Sequence, residues 1–182
     1  MTRHIVLLRA VNIVRANRVP MPQLRAALEA DGFGDVKTYV QSGNIVLTSK
    51  ASPERVAQRV HALIKKKFGH DIAVVVRSHA ELNEIVKRNP LGKVARNPKR
   101  HLVTFLSGEL PAAVKKKLSE VAGPEERFAV SGRQIYSWHP EGVGRSPLWG
   151  RLGAKSLGVN ATSRNWSTVT TLLAMSEEPK PR

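Results

Sequence analysis

The chain has 182 residues, enough for one large domain or two small ones. Hydrophobic residues make up 41% of the sequence and charged residues 24%, which is typical of a globular protein and not of a disordered or fibrous one. Its 30 Lys and Arg against 14 Asp and Glu give a net charge of +16, so an anionic partner is expected. The absence of cysteine excludes disulfides, thiolate nucleophiles and cysteine-based metal sites.

The two ends of the chain carry simple signals. The apolar run at residues 5–8 stops at Arg9, which makes it shorter than the core of a signal peptide and predicts a cytoplasmic protein. No stretch approaches the ~20 apolar residues of a membrane-spanning helix, so no membrane contact is expected. Residues 176–182 contain no apolar side chain to bury, which predicts a disordered tail.

Residues 1–77 show the alternation of a split βαβ fold. Branched apolar runs predict strands, while helical spacing behind Pro or Ser predicts helices. The predicted order is a strand at 5–11, a helix at 20–32, strands at 36–40 and 45–48 around a turn at 41–44, a helix at 52–68 and a strand at 72–76. This order is typical of a ferredoxin-like fold, so these residues form a first ferredoxin-like half.

The remainder predicts a second half of the same kind. A helix capped by Ser78 and ended before Pro90, followed by a basic loop, fills the connection at 78–100. Residues 101–175 repeat the pattern with a strand at 101–106, a helix at 111–121, a hairpin of 127–130 and 134–138, a helix that Ser146 opens, and a last helix from 163 to about 175. The last helix takes the place of the closing strand. We therefore predict an α+β protein of two ferredoxin-like halves related by duplication, plus a C-terminal helix. The halves either share one sheet or pack sheet to sheet.

Two stretches resemble a known family. The first comprises residues 7–12 and 17–21 and continues into 38–44, and the second runs from 144–146 to 161–170. They are similar to the bacterial proteins called domain of unknown function 1697, and Gln-Ser-Gly-Asn and Arg-Asn-Trp are the most specific segments. The resemblance implies a duplicated α+β fold and no known activity. Val14 and Arg15 stand where the family pattern leads us to expect a glycine pair.

Local motifs for catalysis and metal binding are missing. The six histidines show none of the short paired spacings that present two metal ligands. The sequence has no Gly-x-Ser-x-Gly elbow, no Walker loop and no pair of acidic residues in a pattern that suggests two-carboxylate catalysis. No metal and no cofactor is therefore expected, while a catalytic group assembled from distant parts of the chain stays open.

Polar loop residues form two candidate groups for binding a small anion. The first surrounds the end of the first strand and the 41–44 turn, although turn chemistry alone also explains the latter. The second lies at two predicted helix starts, where free backbone N–H groups favour anions, although Ser146 is equally well explained as a helix cap. The residues are Arg9, Asn12, Asn17, Arg18, Gln41, Ser42 and Asn44 in the first group, and Arg145, Ser146, Arg164 and Asn165 in the second.

The connection between the halves favours a larger polyanion. Residues 87–100, here called the basic segment, contain no acidic residue and predict a flexible loop that contacts phosphates through Lys87, Arg88, Lys93, Arg96, Lys99 and Arg100. Phe105, Tyr136 and Trp138 have the spacing of a base-stacking platform, but burial in the core is the favoured interpretation. The leading hypothesis is sequence-independent binding of nucleic acid or another polyanion. The alternative is an enzyme or binding protein for a small phosphorylated or carboxylated metabolite in a cleft between the halves.

Overall fold

The computed structural model describes residues 1–12, 17–153 and 157–177. Their strands form two separate four-stranded antiparallel sheets, which excludes one sheet shared by both halves. The chain divides into two compact units: unit 1 comprises Met1–Ile85 with Thr171–Arg182, and unit 2 comprises Val86–Thr170. The predicted α+β class and the duplication are confirmed.

Unit 1 has the predicted order of elements and the strand order β2-β3-β1-β4. Its first strand ends earlier than predicted, because Ala10 and Asn12 adopt positive φ and cannot continue an extended strand. The elements are β1 (Thr2–Leu8), α1 (Met21–Ala30), β2 (Gly34–Tyr39), β3 (Asn44–Ser49), α2 (Pro53–Phe68), β4 (Val74–Ser78) and α3 (His79–Lys87), the last of which continues into unit 2.

Local chemistry explains the helices of unit 1. Ser52 accepts the backbone N–H of Arg55 at 3.4 Å and so caps α2. Ser78 and Glu81 form a reciprocal capping box at α3, with N–H to side-chain distances of 2.8 and 3.2 Å. One face of the sheet packs on α1 and α2 to form a core that includes Val6, Leu8, Ile45, Leu47, Leu24, Leu28, Val60 and Ile64.

Unit 2 repeats this arrangement with the strand order β6-β7-β5-β8. Each strand occupies the place of its counterpart in unit 1, which is what duplication of a ferredoxin-like fold requires. The elements are β5 (His101–Leu106), α4 (Ala112–Val121), β6 (Arg127–Ser131), β7 (Gln134–Trp138), a 3-10 turn (Val143–Arg145), α5 (Pro147–Leu152), β8 (Ala161–Asn165) and α6 (Trp166–Met175), of which α6 continues into unit 1.

The closing strand of unit 2 corrects the prediction of a helix from residue 163. β8 pairs with β5 from Ala161 opposite Leu106 to Asn165 opposite Leu102, so α6 begins only at Trp166. Asn165 caps α6 by accepting the N–H of Thr168 at 2.9 Å. The polar composition of this strand and the helical spacing that follows it concealed it in the sequence.

Ser176, the first residue of the predicted tail, has defined contacts in unit 1. Ser176 is buried, donates to the Leu173 carbonyl at 2.7 Å and lies 2.9 Å from His79 Nδ1. Residues 178–182 lie outside the described residues. In the part of the chain that the structure describes, no helix is both long enough and apolar enough to cross a membrane.

Candidate functional site

After the end of α3 at Lys87, the basic segment forms a run of hydrogen-bonded turns. Leu91 is buried, and its carbonyl accepts the N–H groups of Val94 and Ala95 at 3.0 and 2.8 Å. Asn89 and Asn97 brace the turns through their side chains, accepting the N–H of the residue two positions on at 3.1 and 3.0 Å. These Asx turns and one apolar anchor hold the backbone in place.

The cations of the basic segment are accessible to solvent. All six residues proposed from the sequence are exposed. Among the described residues, no acidic side chain forms an ion pair with Lys93, Arg96 or Lys99. Arg100 differs, because its guanidinium donates to the Pro140 carbonyl. Lys93, Arg96 and Lys99 therefore present three unneutralised charges on an ordered backbone.

Unit 2 carries most of the net charge. It holds 15 Lys and Arg against 5 Asp and Glu, whereas unit 1 holds 15 against 9. The difference arises because the basic segment belongs to unit 2. Unit 2 is therefore the more favourable half for an anionic partner.

One end of the sheet in unit 2 gathers further arginines. Register places Arg127 opposite Trp138, which is in turn opposite His101, so Arg100 and Arg127 lie at the same end of the sheet. The chain leaves this end through a turn closed by Gly142 N–H to His139 O at 2.9 Å, and the exposed Arg145 follows. We call the basic segment together with Arg127 and Arg145 the basic end of unit 2.

Arg127 was not identified from the sequence. Its guanidinium donates to the carbonyls of Pro124 and Glu126 at 2.7 and 2.8 Å, and the residue remains exposed. It follows two glutamates at the start of an outer strand and belongs to no basic run in the sequence. Only the strand register shows that it joins the basic end.

A buried carboxylate occupies the start of α5, where the sequence predicted a phosphate. Glu126 accepts the Ser146 hydroxyl proton, the Gly123 N–H at 2.7 Å and the Leu148 N–H at 3.4 Å. Ser146 caps α5 by accepting the Trp149 N–H at 2.8 Å, as the cap interpretation expects. The anion-binding role of Ser146 remains a prediction that these internal contacts do not support.

The network continues through a buried histidine. His139 Nδ1 lies 2.7 Å from Ser146 Oγ, and Nε2 lies 2.8 Å from Ser137 Oγ. Because the Ser146 proton is directed at Glu126, Nδ1–H donates to Ser146 and Nε2 accepts from Ser137. Ser137 and His139 are completely buried, so the Ser137 hydroxyl of this serine–histidine–carboxylate arrangement is closed to a substrate.

Burial and hydrogen bonding shift the pKa values of this network in predictable directions. Burial raises the pKa of Glu126, but the hydrogen bonds it accepts, led by that of Ser146, outweigh this effect and hold it below its usual value. Burial lowers the pKa of His139, which Glu126 partly opposes. Burial and the neighbouring His139 lower the pKa of His101 to about 4. The network is therefore an ionised carboxylate beside neutral histidines at pH 7.

The first group of predicted ligand residues comes together in unit 1. Asn12 Nδ2 donates to the carbonyls of Val19 and Gln41 at 3.0 and 2.7 Å, and Asn12 Oδ1 accepts the Val19 N–H at 2.9 Å. Asn17 Nδ2 donates to the Ala10 carbonyl at 3.2 Å. These side chains brace the loops. Val14 and Arg15 lie outside the described residues.

The hairpin turn of unit 1 fits tightly against the end of β1. Gly43 has a φ of +76°, its carbonyl accepts the Leu8 N–H at 2.9 Å, and a Cβ at this position would lie 2.6 Å from Leu8 Cβ and 2.7 Å from Val11 Cγ2. Asn44 is buried and donates to the Tyr39 carbonyl at 3.2 Å, so it serves the turn. The outward-facing members of this group are Arg18, Gln41 and Ser42, which are exposed, and Arg9, which is partly exposed.

The remaining predicted ligand residues are engaged in β8. Arg164 donates to Thr162 Oγ1 and the Ser163 carbonyl at 2.7 and 2.9 Å, and burial lowers its pKa to about 10. Asn165 caps α6. Both were expected in a helical first turn facing a ligand, and the strand assignment removes the basis of that expectation.

The aromatic residues of the sheet in unit 2 follow the favoured core interpretation. Phe105 and Tyr136 are buried, whereas Trp138, at the end of β7, is partly exposed. Burial raises the pKa of Tyr136, while its hydrogen bond with Gln134 and the charge of Arg88 act in the opposite direction. The centre of this sheet face is therefore closed to bases.

Comparison with known proteins places the chain in a family. The model of the family "Protein of unknown function (DUF1697)" matches residues 1–136. The chain belongs to this family. A conserved bacterial protein from Streptococcus pneumoniae has a similar structure, with a TM-score of 0.79 and 21% sequence identity over 97% of this chain and 99% of that one. No curated protein matches.

The DUF1697 match covers the whole basic segment and ends within β7. Trp138, Arg145 and Ser146 lie beyond it, and the structural similarity to the Streptococcus protein shows the fold alone. Among the described residues of this DUF1697 member, no group of three or more His, Asp or Glu side chains could hold a metal ion. Among the described residues, the exposed cations of the basic end form the candidate functional site that we consider further.

Proposed function

We propose that the protein binds nucleic acid or another polyanion through phosphate contacts made by the basic end of unit 2. One observation carries this proposal: Lys93, Arg96 and Lys99 are exposed and form no ion pair with any acidic residue in the described chain. A cation without an internal partner is available to neutralise a phosphate and release its counterions.

The ordered backbone strengthens this interpretation. The side chains of Asn89 and Asn97 fix the turns of the basic segment before any ligand arrives. Less conformational entropy is then lost on binding than for a disordered basic loop. The cations can therefore act as a preformed surface.

Binding of this kind discriminates little between base sequences. Phosphate contacts position a nucleic acid but carry no sequence information. The aromatic side chains at the centre of the sheet in unit 2, Phe105 and Tyr136, are buried and cannot read bases. We accordingly propose that binding is independent of base sequence. We also propose that the protein is located in the cytoplasm, where nucleic acid is present.

Two measurements test the proposal. The ratio of absorbance at 260 and 280 nm in freshly purified protein reports co-purifying nucleic acid. Fluorescence anisotropy with duplex and single-stranded oligonucleotides, between about 50 and about 200 mM salt, should show affinity that falls steeply with salt and is similar between sequences. Absence of binding to both at the lowest salt would overturn the proposal.

The alternative of a small phosphorylated or carboxylated metabolite stays a prediction. The amides of Asn12 and Asn44 and the hydroxyl of Ser146 are all bonded to other parts of the protein. None of these contacts favours a ligand over a structural role.

A further inference from the structure

The three tryptophans of the chain all lie at the basic end of unit 2. Trp138 ends β7, Trp149 lies in α5 and Trp166 begins α6. Each is partly exposed. All three tryptophans therefore belong to the half of the chain that carries the basic segment.

Each tryptophan adjoins a cation-bearing segment. The backbone N–H of Trp166 donates to the Pro98 carbonyl at 3.0 Å, within the basic segment. The backbone N–H of Trp149 donates to the side chain of Ser146, the residue after Arg145. Trp138 lies opposite Arg127 in the β6–β7 register, so the two side chains share one face of the sheet with Cβ atoms about 5 Å apart.

Two of the three rings already have partners. Trp166 stacks on His101 with ring centroids 4.6 Å apart and planes within 11°. Trp149 meets His139 edge-on at 6.1 Å and packs against the core of unit 2. Trp138 is partly exposed and has no ring partner among the described residues, so it is the ring to which we assign a further stacking contact.

We infer that the preferred polyanion is single-stranded nucleic acid, one base of which stacks on Trp138 while the cations of the basic end hold the flanking phosphates. This inference rests on the proposed function and names its substrate class. Bases in a duplex are paired and stacked on one another, whereas a single strand offers free base faces. Aromatic rings interleaved with cations are the usual platform for such strands.

Burial within the sheet limits stacking to a single position. Tyr136 precedes Trp138 by two residues on the same strand face and is completely buried. Bases therefore reach the end of β7 but not its middle. One stacked base without base-edge contacts gives a preference for single strands and little preference for sequence.

The test compares binding of a dT oligonucleotide of about 16 nucleotides with binding of a duplex of the same length at about 100 mM salt. Trp138→Leu should weaken dT binding by about 5- to 100-fold, the usual loss for one stacked base, and change duplex binding by less than about twofold. It should also remove most of the tryptophan quenching that dT causes. Trp138→Phe keeps an aromatic face and should restore much of the affinity.

Controls separate the possible outcomes. Tyr39→Leu removes a partly exposed aromatic residue from unit 1 and should leave dT affinity unchanged. Circular dichroism and thermal melting confirm that each variant folds. If Trp138→Leu loses equal affinity for dT and duplex, or loses none, the stacking inference is overturned. The proposed function still stands in that case if binding depends on salt. Absence of binding to either probe overturns both.

Discussion

The Ser146 hydroxyl donates a hydrogen bond to the Glu126 carboxylate, and this contact joins the start of α5 to the turn before β6. The Glu126 carboxylate thereby occupies the start of α5, the place where the sequence predicts that a phosphate could bind. His139 completes the arrangement by donating to Ser146 from the end of β7. Three segments that converge on the basic end are thus held by one buried polar network.

Removing the charge of Glu126 should destabilise the protein. Glu126→Gln weakens the bonds from Ser146, Gly123 and Leu148, and we expect a loss of about 1–3 kcal/mol in the free energy of unfolding. Because hydrogen bonds hold the Glu126 pKa below its unfolded value, this contribution is present above pH 4.5 and is lost as the pH falls through the folded pKa. Urea denaturation with the exposed neighbour Glu125→Gln as control checks this, and equal stability of the two variants would contradict it.

Acid should destabilise unit 2 through His101. Its pKa is about 4 in the folded protein and 6.5 in a model peptide, so the unfolded chain binds the proton first. The contribution of neutral His101 to the free energy of unfolding is complete above pH 6.5 and falls as the pH drops towards 4. At about 1.4 kcal/mol for each unit of pKa difference, the total loss is about 3 kcal/mol. His101→Phe keeps a ring against Trp166 and should flatten the pH dependence between 6.5 and 4 in denaturation curves. An unchanged profile would show that another group dominates.

Two glycines with positive φ should respond differently to alanine. A Cβ at Gly43 collides with Leu8 and Val11, whereas one at Gly132 meets nothing within 4 Å. Both variants incur the left-handed backbone cost of about 1–2 kcal/mol, and Gly43→Ala adds an overpacking cost of about 1–3 kcal/mol. Thermal melting should therefore rank Gly43→Ala well below Gly132→Ala. Equal melting temperatures would show that the hairpin turn is not packed as described.

The fold was largely predictable because its apolar periodicity is local. Strand and helix patterns recur within a few residues of one another, and the cap at Ser52 and the hairpin at Gly43 are short-range signals. β8 was missed because its residues are polar and its pairing with β5 spans about 60 positions. A strand defined by its partner has little signature of its own.

The candidate site was only partly predictable for a related reason. The exposed cations of the basic segment were visible as a run of charge without acid. Arg127, Glu126 and His139 acquire their roles from the register of the β6–β7 hairpin, which no local motif encodes. The ordered turns were also missed, because Asn89 and Asn97 act through backbone contacts that composition does not reveal.

The proposed function requires that the basic end, and not the net charge in general, contacts phosphates. One experiment addresses it by comparing the salt dependence of oligonucleotide binding in two triple variants that each lose three positive charges. The first replaces Lys93, Arg96 and Lys99 of unit 2 with Ala. The second replaces Lys50, Lys66 and Lys67 of unit 1, which are also exposed.

Fluorescence anisotropy on duplex DNA should give a slope of log affinity against log salt near −4.5 for the unaltered protein if about five phosphates are neutralised. The unit 2 variant should bind more weakly, with a slope flattened by up to about 2.7, or 0.9 per lost contact. The unit 1 variant should keep a slope close to that of the unaltered protein. Equal flattening in both variants would contradict a defined phosphate-binding surface at the basic end.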